Sequence, residues 1–400
     1  MPAFTETAEV PPLARTPEEW ARFATAHGGR TFHGQQIFRW VQGRAVLDAD
    51  RMTDLPGKLR DAVRELVLPT VVTVREVRRA ADATRKLLVA MADGATVETV
   101  LIPGVTGGRS SLPSPLEGDA DAAAADEDED DPADADATSA PKDDAAVRVT
   151  QCISTQVGCA MGCVFCASGV AGLKRQMGPD EIVAQVLLAK AELDPTERLS
   201  NVVLMGMGEP LHNYEATRRA LRLITHREGI GLSRRRVTVS TSGLVPEIAR
   251  LGEDFGGQIG LAISLHATND ETRSRLMPIN KKYPLDALLG ALRAYPLPKR
   301  RRITIEYTLV AGKNDTPGEA QALARLLRGI PVKVNLIPMN PIEASTLGPP
   351  DLTGVLSFQR VLVDAGYSCF IRRRRGDDVS AACGQLALSG EKRRVRVLRD

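Results

Sequence analysis

Six cysteines stand in a chain of 400 residues, and four of them crowd into one segment, CISTQVGCAMGCVFC. Cys159, Cys163 and Cys166 form a C-x3-C-x2-C run, with Cys152 ahead of it on the same stretch; Cys369 and Cys383 lie near the C-terminus. Clustered thiols without a secretory context point to a metal or to catalysis rather than to structural disulfides. A structural zinc site closes four ligands, commonly as two C-x2-C pairs, whereas only one such pair occurs here. Three thiolates fit an iron–sulfur cluster with one iron left open for a cofactor or substrate. With Cys152 as fourth ligand the segment also reads as a zinc knuckle, and composition alone leaves that alternative open. Cys383 and Cys369, taken without their surroundings, read as inert thiols.

The elements that must position these residues follow from periodicity. From residue 147 onward, strand-like runs (VRVTQCIS, NVVLMG, RRVTVSTS, QIGLAISLH, RITIEYTLV, VKVNLIPM) alternate with helical ones such as EIVAQVLLAKAEL and EATRRALRLITH. Six β–α units in succession predict a parallel sheet with helices packed outside it. Sites in such folds form beyond the C-terminal strand ends. The cysteine run, GMGEP, STSG, SLHA and PMNP all fall at those ends, which predicts one active site. His266 in SLHA has no second His or carboxylate at ligand spacing and reads as a hydrogen-bonded strand-end residue.

Upstream, residues 1–68 predict a small helical domain and 69–104 a short β extension, with Asp93-Gly94 as a hairpin turn. Residues 105–146 are rich in Ala, Asp and Pro and read as a disordered acidic insertion. The alternating region spans 147–388, and 389–400 form a basic tail. No N-terminal apolar signal and no stretch long enough to span a bilayer occur, so a cytoplasmic protein without membrane contact is expected. The formal net charge of +2 hides an asymmetry. Residues 117–144 hold 13 acidic residues and one Lys, and the remainder carries 51 basic against 37 acidic residues, a net of +14. A body that basic suits a polyanion, and the arginine runs at 299–302 and 372–375 are candidate phosphate contacts. Aromatic stacking platforms are scarce, with Phe32 and Trp40 as the candidates.

The pattern Cys159-Ala-Met-Gly-Cys163-Val-Phe-Cys166, at the end of a first strand, resembles the radical-SAM motif. That resemblance implies a partial (βα)6 barrel, one 4Fe–4S cluster on Cys159, Cys163 and Cys166, and S-adenosyl-L-methionine on the open iron. Further along, VVLMGMGEPLHN, RRVTVSTSGLVP, LAISLHA, IEYTLV, VNLIPMNP and RRGDDVSAACGQLA occur in an order that resembles the RlmN/Cfr family of radical-SAM RNA adenine methyltransferases. FHGQQIFRWVQ and MTDLPGKLRDAVREL are similar to the small accessory domain of the RlmN branch. The fold expected is therefore α/β: a radical-SAM partial barrel with a small N-terminal helical accessory domain and a short β extension.

The resemblance implies a division of labour among the cysteines. Cys383 is the methyl carrier: one S-adenosylmethionine methylates it, and a radical from a second takes hydrogen from that methyl group. The carbon then adds to adenine C2, and Cys152 attacks the Cys383 sulfur, releasing product and leaving a disulfide to be reduced. Glu98 matches the base that removes the C2 proton. Period two puts it on one face with Val100 and Ile102. Gly208 and Glu209 match positions that meet the methionine amino group, and Ser240, Ser264, Leu265, His266 and Asn340 match the other cofactor positions. The implied substrates are adenine 2503 of 23S rRNA and adenine 37 of certain tRNAs. An electron-donor protein and a monomeric state are implied as well. Methylation at C8 of adenine, as in the Cfr branch, and a non-catalytic zinc-stabilised RNA-binding protein are the alternatives. Cys369 has no place in the scheme and is expected to be structural.

Overall fold

The computed structural model describes residues 9–104 and 146–386, apart from 344 and 373. The acidic insertion expected at 105–146 lies outside the described residues except for Ala146, as does the basic tail 389–400.

Ten strands form one sheet among the described residues, in the order β1-β2-β3-β4-β7-β8-β9-β10-β11-β12. The first three, β1 (Val72–Arg79), β2 (Arg85–Met91) and β3 (Thr96–Pro103), are an antiparallel meander. The β2–β3 turn is the expected one: Gly94 has φ +82° and Asp93 Oδ1 accepts from Ala95 N at 3.0 Å. β3 pairs antiparallel with β4 (Val147–Cys152), which opens the parallel part of the sheet. β7 (Glu197–Leu204), β8 (Val237–Thr241), β9 (Gly260–Ser264), β10 (Ile303–Leu309) and β11 (Val332–Pro338) follow in parallel. β12 (Cys369–Ile371) adds a seventh parallel strand beyond the six expected. β5 (Gln156–Val157) and β6 (Arg175–Gln176) form a separate two-residue ladder beside the cysteine segment. This is the mixed α/β architecture with a large parallel sheet that the radical-SAM resemblance implies.

The parallel strands are apolar because helices cover them; in β10 only Thr304 is less than fully buried. The N-terminal segment folds as α1 (Pro17–Ala26), α2 (Thr31–Phe38) and α3 (Gly57–Glu65). α1 starts at a capping box, Thr16 Oγ1 accepting from Glu19 N while Glu19 Oε2 accepts from Thr16 N at 2.7 Å, with Pro17 in the first turn. The N-terminal segment docks through the buried Leu13, Ala14 and Phe38 and through polar contacts. Arg219 pairs with Glu19 and donates to Ala14 O at 2.8 Å, Lys190 donates to Gly43 O at 2.7 Å, and Glu228 accepts from Gln35 and Arg39.

Candidate active site

The cysteine loop is fixed by close backbone contacts. Gly158 has φ +79°, and a Cβ there would lie 1.9 Å from Gly172 O, so only glycine fits. Gly169, in the short helix α4 (Ala167–Ala171), leaves room for the Cys163 backbone at 2.9 Å in the same way. Phe165 meets His266 edge-on, with centroids 4.9 Å apart, which ties the loop to the end of β9. Val164 N donates to Leu276 O at 3.1 Å.

Within that loop the three thiols crowd one another. Burial, with Cys166 and Glu209 acting the same way, pushes the Cys159 thiol up to about 12. Burial also drives Cys163 well above the ordinary range, with Cys166 and Cys159 adding to it; Cys166 is raised chiefly by burial, with Cys383 next to it. Buried thiols that oppose one another's ionisation suit a cationic centre, because metal ligation needs thiolates and supplies the missing positive charge. Three thiols on one C-x3-C-x2-C loop fit a 4Fe–4S cluster with one iron left open.

Cys152 sits apart from that trio. It ends β4, buried, opposite Val100 of β3, and Thr99 Oγ1 donates to its carbonyl at 2.7 Å. Burial pushes its thiol up to about 12; Cys383 adds to this, and Arg372 opposes it. Cys383 is exposed and hangs on a loop that docks against the cluster loop. Asn340 Nδ2 donates to Cys383 O at 2.9 Å, Ala167 N donates to Gly384 O at 2.8 Å, and Ser168 Oγ donates to Leu386 O at 2.6 Å. The Cys383 thiol acts on both Cys152 and Cys166, opposing the ionisation of each. All six cysteines are free thiols in this structure, and Cys369 is buried on β12, its thiol pushed up to about 12 by burial alone.

The other expected residues ring the same end of the sheet. Gly208 has φ +108°, and a Cβ there would meet Gln156 at 2.6 Å. The Glu209 carboxylate is buried beside Cys159 and Cys163, and burial pushes its pKa up. It accepts from Ser242 N at 2.7 Å, Ser242 Oγ at 2.8 Å and Leu211 N at 3.1 Å, so the protein itself uses most of its acceptor capacity. Ser240 is half-buried on β8 and Ser264 ends β9, followed by the buried Leu265. His266 has φ +56°; its Nδ1 accepts from Thr308 N at 2.9 Å. That bond leaves the proton on Nε2. Burial, then Arg273, holds its pKa down to about 3, so the ring is neutral. Asn340 Oδ1 is buried with no partner among the described residues, an acceptor left over for a cofactor donor. Glu98 is buried on β3, where Lys86 Nζ lies 2.9 Å from its Oε1. Phe32 is exposed on α2 and Trp40 lies just past its end, where Arg44 covers the ring at 4.0 Å.

Two residues that sequence reasoning missed brace this end of the sheet. Arg273 is fully buried and donates to Leu265 O at 3.0 Å, Ser242 O at 2.7 Å and Ser264 O at 3.1 Å, clamping three strand-end carbonyls. Ser154 Oγ donates to Glu98 O at 2.7 Å and accepts from Met207 N at 2.9 Å, joining β3 to the GMGEP turn.

Comparison with known proteins decides the family. Residues 153–327 match the radical SAM superfamily, and residues 13–68 match the ribosomal RNA large subunit methyltransferase N-terminal domain. A dual-specificity RNA methyltransferase RlmN of Sorangium cellulosum is 68% identical over 96% of this chain and 97% of that protein. The chain belongs to the RlmN family. An RlmN of a Caulobacter species is 43% identical over 93% of this chain and 84% of its own length. The crystal structure of a radical SAM methyltransferase from Sphaerobacter thermophilus is 38% identical, superposes with a TM-score of 0.80, and covers 94% of this chain and 99% of its own. The chain is accordingly a radical-SAM RNA methyltransferase that uses a 4Fe–4S cluster and S-adenosylmethionine. The zinc-stabilised, non-catalytic alternative falls with that result. No helix of the described residues is long and apolar enough to cross a membrane.

Proposed function

We propose that the chain methylates carbon 2 of adenine in 23S rRNA and in tRNA through a methyl group carried on the Cys383 sulfur. The observation that carries this reading is the docking of the Cys383 loop on the cluster loop, with Ala167 N donating to Gly384 O and Asn340 Nδ2 to Cys383 O, close enough for Cys383 to act on the Cys152 thiol. Cys159, Cys163 and Cys166 would hold the cluster, and the strand-end residues Gly208, Glu209, Ser240, Ser264, Leu265, His266 and Asn340 would line the cofactor. The cluster and cofactor supply the methyl group for Cys383 and the radical that activates it.

The chain's own residues do the rest. Cys383, exposed on its loop, carries the one-carbon unit to the base. Glu98, on the buried face of β3, takes the proton from C2. The Cys152 thiolate attacks the Cys383 sulfur and forms an S–S bond as the S–C bond breaks; the electron pair passes to the one-carbon unit, which takes a proton from solvent to become the methyl group. The Arg372 cation beside Cys152 favours the thiolate that this attack needs. The substrate base must leave its stack to reach a recessed cluster. The protein acts in the cytoplasm as a monomer, with a separate electron donor. Anaerobic incubation with rRNA or tRNA, S-adenosylmethionine and reductant, followed by nucleoside mass spectrometry, tests the reading. 2-Methyladenosine is expected; 8-methyladenosine, or no modified base, overturns it.

A further inference from the structure

The β extension does more than lengthen the sheet. Strand pairing places Arg78, Lys86, Val100 and Cys152 opposite one another across four strands, in one row on one face. The next row on that face is Glu76, Leu88 and Glu98. The residue proposed as base and the resolving cysteine therefore share a wall, and Lys86 stands on it with both.

Lys86 is buried, as is Glu98, and its Nζ lies 2.9 Å from Glu98 Oε1. The same ammonium donates to Ser380 O at 3.1 Å. Ser380 adopts φ +52° three residues before Cys383, where the catalytic-cysteine loop turns. One buried cation thus touches the candidate base and the segment that carries the methyl group. A buried ion pair is poor evidence of stability, because desolvation offsets most of the Coulomb gain. Its retention in a wall that apolar side chains would fill equally well calls for another reason.

We propose that Lys86 is a positioning residue that keeps Glu98 ionised and holds it in register with the Cys383 loop. The inference rests on Glu98 being the base. A base must be unprotonated before it can take a proton, and a carboxyl buried without a counter-charge favours its neutral form. Lys86 supplies that counter-charge 2.9 Å from the carboxylate. The hydrogen bond to Ser380 O sets the distance between that carboxylate and the Cys383 loop. Among the described residues, charged groups that act on the pair include Arg78, on Glu98, and Glu76, on Lys86, both exposed on β1; Cys152 stands on the neighbouring β4 opposite Val100, with Cys383 and Arg372 acting on it.

Lys86→Met, Lys86→Arg and Glu98→Gln in the full-length, cluster-loaded protein test the inference. For Lys86→Met, iron content and S-methylation of Cys383 before RNA is added stay as in the parent protein. RNA product formation falls roughly tenfold at neutral pH and recovers as pH is raised, because the acidic limb of the pH–rate profile moves up. Lys86→Arg keeps the parent profile. Infrared difference spectra of the same proteins without RNA show a protonated-carboxyl band at neutral pH in Lys86→Met that is absent from Lys86→Met/Glu98→Gln. If Lys86→Met fails to fold, Lys86→Gln, which keeps a donor but no charge, is expected to show the same shift. An unchanged rate and pH profile in Lys86→Met, beside an inactive Glu98→Gln, overturns the inference and leaves the base assignment standing. Loss of iron or of Cys383 methylation in Lys86→Met makes the role structural and overturns it too. Full activity of Glu98→Gln overturns the base assignment itself.

Discussion

The loop that holds Cys159, Cys163 and Cys166 and the loop that holds Cys383 touch, yet they are fastened by different means. The first is wedged by backbone: Gly158 against Gly172, Gly169 against Cys163, and Phe165 against His266. The second is tied by polar contacts near its ends. Asp82 Oδ2 accepts from Gly376 N at 3.1 Å and lies 2.9 Å from Arg375 Nε, Asp378 Oδ2 accepts from Ala81 N at 3.0 Å, and Lys86 and Asn340 hold two of its carbonyls. A ligand set must keep one geometry, and close-packed backbone gives it. A carrier sulfur must meet a methyl donor, a base and Cys152 in turn. Tethers at the ends of its loop leave the exposed Cys383 side chain free to do so.

The largest effects come from the cysteines themselves and would break the comparison if they came out otherwise. Changing any of Cys159, Cys163 or Cys166 to Ala should abolish iron content and 5′-deoxyadenosine formation. Cys383→Ala should keep its iron, carry no methyl group and attach to no RNA. Cys152→Ala should keep its iron and accumulate a covalent protein–RNA species, seen on a denaturing gel with and without nuclease. Iron loss in Cys152→Ala would return Cys152 to the ligand set.

Next in size is the wedge. Gly158→Ala forces a Cβ onto Gly172 O in a left-handed backbone, at a cost of roughly 3 kcal/mol. Stability to denaturant and bound iron should fall together. Stability lost without iron would mean that the cluster site tolerates backbone movement, contrary to the contrast drawn above.

A third effect depends on pH and lies just beyond the cluster loop, at the start of α5 (Pro179–Ala191). Burial, then Glu181, raises Asp180 from 3.8 to about 6. Between those values the folded chain binds the proton more tightly than the unfolded chain does, so stability falls as pH rises. Asp180→Asn removes that penalty and should stabilise the protein by about 2 kcal/mol at neutral pH. The gain should shrink below pH 6 and nearly vanish by pH 4, as denaturant titrations at the two ends would show. An equal gain at both ends would assign the effect to packing.

Local signals made most of this legible. Period two and period 3.6 gave six parallel strands, and spacing gave the cysteine run, because both are set by neighbours in sequence. β12, in YSCFIR, reads as a strand but stays outside the count of six β–α units because it is three residues long. Lys86 in RKLLVAM looks like any strand cation; its burial depends on Ser380, 294 positions later. Arg273 sits in DETRSRL, a charged helix with no outward sign that one arginine turns inward to clamp three carbonyls at the ends of β8 and β9. Glu209 was legible as part of GMGEP, but its hydrogen bonds to Ser242 were not, since they join turns 33 residues apart.

The smallest effect tests the carrier loop. Asp82 Oδ1 accepts from Thr84 N at 3.0 Å, which shapes the β1–β2 turn, while Oδ2 holds Gly376 and Arg375. The latter contacts lie near the surface, where an ion pair contributes about 1 kcal/mol or less. Asp82→Ala should therefore cost little stability and no iron. What it removes is a fixed starting point for the loop that leads to Cys383. That segment keeps its ties to Ala81, Lys86, Asn340 and the cluster loop but loses the one at Gly376, and should spend less time in the arrangement that meets both methyl donor and base. Methylated RNA should form several-fold more slowly, and the deficit should appear already in S-methylation of Cys383, which precedes any contact with RNA. Lys86→Met, by contrast, should leave that first methylation intact. If Asp82→Ala slows only the later, RNA-dependent stage, the tether at Gly376 serves the base and not the carrier, and the two loops divide their work differently.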